Sequence, residues 1–150
     1  MKENLAILFF LISSTSLAQS ISLELEAIND VLNAYHEAAA QGEWDQYFSL
    51  MSDDGVVLGT DADERWPKAV FRQYAEGRNG WTYHPTDRHI NLTPDGNSAW
   101  FDEILDSESY GASRGTGVLI KTTNGWKISQ YHLTFPILNE LAGTITQAIK

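Results

Sequence analysis

From Leu25 the apolar positions fall at Leu25, Ile28, Val31, Leu32, Tyr35, Ala38 and Ala39, the spacing of one face of a helix. Glu24 and Glu26 sit where the first turn would favour negative charge, and Gly42 supplies a stop. A shorter helix is expected over Trp44 to Met51, with Trp44, Tyr47, Phe48 and Met51 on one side. Ser52-Asp-Asp-Gly55 then reads as a turn into a strand, Val56 to Leu58. The acidic stretch Gly59-Thr-Asp-Ala-Asp-Glu-Arg-Trp-Pro67 follows. Its proline suits the first turn of a third helix carrying Val70, Phe71 and Tyr74, which ends near Gly77 to Gly80.

Beyond Trp81 the period of the pattern changes from helical to two. Strands are expected at Thr82–His84 with Arg88–Leu92, at Ala99–Leu105, at Gly115–Thr122 and at Trp126–Phe135. Turn formers separate them: Thr93-Pro-Asp-Gly96, the stretch 107–113, and Asn124-Gly125, the strongest hairpin signal in the chain. A weak closing helix is expected over Ile137 to Ile149. Helices first and an antiparallel meander afterwards define an α+β fold, with helices packed on one face of a curved sheet.

The start of the chain reads differently. Lys2, the apolar run Leu5–Ile12, polar serines and then Ser16-Leu-Ala18 have the order of a secretory signal peptide. The expected organisation is a signal peptide at 1–18, cleaved after Ala18, and a single domain at 19–150, periplasmic or secreted. The run is too short to span a bilayer, which takes about 20 residues, so no stable membrane anchor is expected after cleavage. With no cysteine, the chain has neither a disulfide nor a thiol nucleophile, and no thiolate metal site. Lys2 and Glu3 leave together, so the formal net charge of −10 survives cleavage. Such a surface repels phosphate backbones and argues against nucleic acid as a partner.

Four segments carry a resemblance: Val57–Trp66, Ala99–Glu103, Arg114–Leu119 and Gly125–Leu133. Together, over residues 25–136, the chain resembles the SnoaL-like branch of the nuclear transport factor 2-like superfamily. The resemblance implies a cone, a strongly bent sheet wrapped round N-terminal helices, with a pocket at its open end and a homodimer formed through the sheet. Relatives in that superfamily include isomerases, dehydratases, polyketide cyclases and binding domains. It also puts the acidic loop near the rim, with Trp66 as a wall or lid.

Candidate chemistry is sparse. Gly111-Ala-Ser113-Arg-Gly115 has the spelling of a hydrolase elbow but runs into a strand where that motif needs a helix. Asp61 and Asp63 begin like a calcium loop, but Trp66 and Arg72 stand at its sixth and twelfth positions. His36, His84, His89 and His132 are scattered, so neither a metal nor a cofactor is expected. Alternation along Ala99–Leu105 makes Glu103 the single ionisable group on a face with Ala99, Phe101 and Leu105. On an inner face it is a candidate general base or acid; on an outer one, a paired surface charge. His132 shares a stripe with Trp126, Ile128 and Gln130 and is the second catalytic candidate, provided no bulge reverses the strand's parity. Arg114 is a candidate for binding an anionic group, while Arg88 is expected to neutralise Glu103, Asp102 or the acidic loop. Trp66, Tyr83 and Trp100 are candidate ligand-binding walls.

Three readings follow. The first is an exported domain that binds a small organic ligand in an apolar pocket. The second is a cofactor-free isomerase- or dehydratase-type enzyme with Glu103 or His132 as base. The third is a structural dimerisation domain.

Overall fold

A computed structural model describes residues 3–149, with side chains from Ala18 onward. The side chains of the expected signal peptide, Ala18 excepted, lie outside the described residues. Helix α1 (Glu3–Gln41) buries Ile28, Leu32, Tyr35 and Ala39 along one stripe and ends at Gly42, whose φ of 70° suits glycine. Residues 18–23 are exposed, and the first buried residue among those described is Ile28.

Helix α2 (Trp44–Ser49) is shorter than expected, because Met51 opens strand β1 (Met51–Leu58). The expected turn at Ser52–Gly55 lies inside that strand, where the register against its neighbour shifts between Met51 and Val56. Strand β2 (Arg65–Pro67), which the hydropathy pattern did not announce, pairs back onto β1 and leads into α3 (Lys68–Ala75). The meander is β3 (His84–Leu92), β4 (Ser98–Asp106), β5 (Ser113–Thr122) and β6 (Gly125–Thr134), followed by α4 (Asn139–Ala148). Six strands lie in the order β2-β1-β6-β5-β4-β3, with β1 and β6 parallel and the other pairs antiparallel. The expected α+β architecture, a curved, unclosed sheet on N-terminal helices, is the observed one.

The sheet's inner face and the helices share one core, including Ile28, Leu32, Phe48, Met51, Leu119 and Ile128, all 2% exposed or less. Strand β4 alternates cleanly: Ala99, Phe101, Glu103 and Leu105 point inward, Trp100, Asp102 and Asp106 outward. Strand β6 does not. Val118 pairs with Gln130 but Leu119 pairs with Ile128, so Ser129 is an extra residue in the strand. Trp126 and Ile128 face inward before the bulge, and Tyr131 does so after it. The expected stripe from Trp126 to His132 is therefore broken, and His132 is turned to the outer face. Helix α4 buries no residue.

Candidate functional site

Inside the cone lies a cavity of about 480 Å³, bounded by α1, α2, the β1–β2 loop, the region of α3, the inner end of β6 and the loop after β4. Its walls are largely aromatic. Tyr35 and Tyr47 stack at 4.0 Å between centroids, and Phe71 sits 5.3 Å from Trp66 and 5.8 Å from Trp81. Trp81 is held by its backbone N–H, which donates to the carbonyl of Ala39 at 3.1 Å. Gly80 permits that approach: its φ is 118°, and a Cβ there would lie 2.6 Å from the Ala39 oxygen.

The acidic loop is closed on itself. The amide of Asp63 donates to Asp61 Oδ1 at 3.1 Å, the amide of Asp61 to Glu64 Oε2 at 3.2 Å, and Gly59 N–H to the Glu64 carbonyl at 2.9 Å. Two of its three carboxylates thus satisfy the turn's own amides, and the residue the loop presents to the cavity wall from β2 is Trp66.

The deep end is polar. His36, on α1, lines the cavity, and its Nε2 meets Glu103 Oε1 at 2.8 Å. The hydroxyl of Tyr131 donates to the same oxygen at 3.0 Å. On the other carboxylate oxygen, Arg88 Nε donates at 2.8 Å, while Arg88 Nη1 reaches Asn29 Oδ1 at 3.1 Å and Asn33 Oδ1 at 2.8 Å. Glu103 is 1% exposed. Burial alone would push its carboxyl upward, but the hydrogen bond from His36, followed by the charge and hydrogen bond of Arg88, holds it below the ordinary glutamate range. Room for this cluster comes from Gly115, opposite Glu103 in the β4–β5 register. A Cβ at that position would collide with the Tyr131 hydroxyl and lie 2.7 Å from Glu103 Oε1.

This geometry assigns the protons. A carboxylate accepts only, so Nε2 carries hydrogen, and in the neutral ring Nδ1 has a free lone pair. Nδ1 has no hydrogen-bond partner among the described residues, and His36 is one of the residues that line the cavity. Beside it, the Tyr47 hydroxyl donates to that of Tyr35, which leaves the Tyr35 proton without an acceptor among the described residues. Burial pushes the phenols of Tyr35, Tyr47 and Tyr131 up, so all three stay protonated donors. A basic nitrogen and a phenol donor, on adjacent residues of one helix, therefore border the same cavity.

Of the residues singled out from sequence, Trp66 and Tyr83 line this cavity and Glu103 lies directly behind His36 and Tyr131. Arg88 pairs with Glu103, one of its expected partners. Trp100, Arg114 and His132 are elsewhere. Strand alternation puts Trp100 and Arg114 on the outer face because Phe101 and Gly115 point inward, and the Ser129 bulge does the same to His132. His36, Tyr35, Tyr47 and Tyr131 were missed as site residues. For His36 a signal existed: it stands next to Tyr35, at the border of the buried stripe of α1, where a polar side chain can face both core and cavity.

The chain is thus an α+β cone with an aromatic, partly polar pocket. The SnoaL-like domain matches residues 28–138, and the chain belongs to that family, whose members bind small ligands and include isomerases and dehydratases. No curated protein matches the sequence. Among solved structures, the chain is similar to a nuclear transport factor 2-like protein of unknown function from Pseudomonas putida, with 16% identity, 80% of this chain and 91% of that one covered, and a TM-score of 0.64. A proposed scytalone dehydratase from Novosphingobium aromaticivorans gives 14%, 80%, 89% and 0.67. A proposed dehydratase of the nuclear transport factor 2-like family from Streptomyces avermitilis gives 20%, 78%, 98% and 0.61. At these identities the likeness carries the fold alone.

Proposed function

We propose that the protein binds a small, planar organic compound in the aromatic cavity and moves a proton on it without a cofactor. The observation that carries this reading is the His36–Glu103 pair, with Nδ1 unpartnered at the cavity and the Tyr35 hydroxyl beside it. For a carbonyl compound, Nδ1 takes the proton from the carbon next to the carbonyl. The C–H electrons form the enolate, whose oxygen accepts from Tyr35, and the imidazolium returns the proton to carbon. Isomerisation and β-elimination both begin with that step. Glu103 holds the imidazole in the required tautomer. The aromatic lining favours a flat, mostly apolar ligand.

The same reading includes export and self-association. Cleavage after Ala18 is supported by the exposure of residues 18–23, ahead of Ile28, the first buried residue among those described. The outer sheet face, with Trp100 at 48% exposed, is the surface through which a homodimer would form. Binding without chemistry is the second reading, favoured by the many aromatic rings on the walls. To separate the two, the enolisable ketone β-tetralone is incubated with the protein in D₂O and its α-hydrogens are followed by NMR. Proton transfer predicts protein-dependent deuterium uptake that disappears in His36→Gln. Saturable binding of the ketone with no exchange above buffer would leave only the binding reading.

A further inference from the structure

We propose that Arg88 is a positioning residue that keeps His36 usable as a base, by cancelling the charge of Glu103 from the side away from the cavity. This rests on the general-base reading of His36 given above. Arg88 and Glu103 are direct partners in the β3–β4 register, and both point inward. Asn29, Asn33 and His36 are spaced by four and three residues on α1, so they share the helix face turned toward that pair. One helix therefore grips both ends of the carboxylate: His36 on Oε1, and Arg88, through the two asparagines, on Oε2.

The division of labour between the two oxygens matters. Arg88 is a cation at any working pH, and its side chain and that of Glu103 are 9% and 0% exposed. The pair sums to zero, so Glu103 orients the imidazole without requiring that it be charged. Arg88 Nη2 is buried with no partner among the described residues, so hydrogen-bond saturation alone does not account for the residue. Remove the guanidinium, and a buried carboxylate is left with the imidazole as its one neighbour able to carry a balancing charge. The two then hold an extra proton, in one of two forms. As imidazolium, His36 cannot accept a proton. As a carboxylic acid, Glu103 donates to Nε2 and moves the ring hydrogen to Nδ1, which blocks the cavity-facing lone pair. Either form disables the base.

The other groups around the ring do not replace Arg88. Tyr35 on α1 and Tyr131 on β6 meet it edge-on at 5.9 and 6.0 Å between centroids and stay protonated, while Tyr47 on α2 acts through Tyr35. At the cavity rim, Glu64 is turned to the amide of Asp61 and Arg78 stacks on the ring of Tyr74.

The test is nitrogen-15 NMR of protein labelled at histidine, at neutral pH. The wild-type protein should show His36 neutral with hydrogen on Nε2. Arg88→Gln should lose that signature for the imidazolium or the Nδ1–H tautomer, and Arg88→Lys, which keeps the charge, should restore most of it. A merely structural arginine would not move the tautomer of a folded variant. Retention of the neutral Nε2–H signature in folded Arg88→Gln overturns the proposal. So does an imidazolium in the wild-type protein, a readout that needs no variant to fold. Because the measurement uses no substrate, it is distinct from the activity reading: the expected signatures with no deuterium uptake would fail the latter alone.

Discussion

The two faces of one sheet carry nearly the same residue types. Inside are Arg88, Glu103 and Tyr131; outside are Arg114, Asp102, Trp100, His89 and His132. His89 and Asp102 approach to 3.5 Å, but their side chains are 65% and 53% exposed, against 9% and 0% for Arg88 and Glu103. Water screens the outer pair, which contributes little. In the interior the same kinds of group hold each other's charge states, and they stand beside a cavity. Residue type does not distinguish a site from a surface here; strand parity does.

The largest effect expected from breaking this contrast is on turnover. His36→Gln should lower deuterium exchange by about 10²–10⁴-fold, the usual worth of a positioned acid–base group, while circular dichroism stays that of the wild type. Next comes stability. Glu103→Leu leaves Arg88 buried without its counter-charge and should cost about 3–5 kcal/mol in urea unfolding. Acid sharpens the same point. The Glu103 carboxyl is held low in the folded protein, so its contribution is complete above the unfolded glutamate value of about 4.3 and is lost as pH falls through the folded one. The wild-type protein should therefore lose stability more steeply than Glu103→Gln in that acid window.

A smaller cost follows from Gly115→Ala, whose new methyl would displace the Tyr131 hydroxyl from Glu103. About 1–3 kcal/mol is expected, with a matching drop in exchange rate. Smallest of all are outer-face changes. Arg114→Ala should stay within about 0.5 kcal/mol of the wild type. Trp100→Ala should leave ketone affinity unchanged and show itself only as a monomer in sedimentation.

Most of the architecture could be read from periodicity, because burial on one face imposes a repeat of 3.6 or two on the sequence. The stripe of α1, the alternation of β4 and the Asn124-Gly125 hairpin all belong to this class. What could not be read depended on pairing. The bulge at Ser129 has no local spelling; it exists because β6 is matched to β5, and it exchanged the places of Tyr131 and His132. Trp100 and Arg114 were picked for their side chains, and the register of β4 with β5 placed them outside. His36 was passed over because its partner is 67 residues away, and only the fold brings the imidazole to Glu103. The acidic loop had the opposite fate: two of its three carboxylates satisfy local amides, and Trp66 is the aromatic wall it contributes to the site.

The central claim is that proton transfer belongs to the inner face. It is tested most directly by measuring β-tetralone exchange in His36→Gln and His132→Gln side by side. The account predicts that the first lowers exchange by about 10²–10⁴-fold and the second leaves it at the wild-type rate. Equal losses in both, or loss only in His132→Gln, would contradict it.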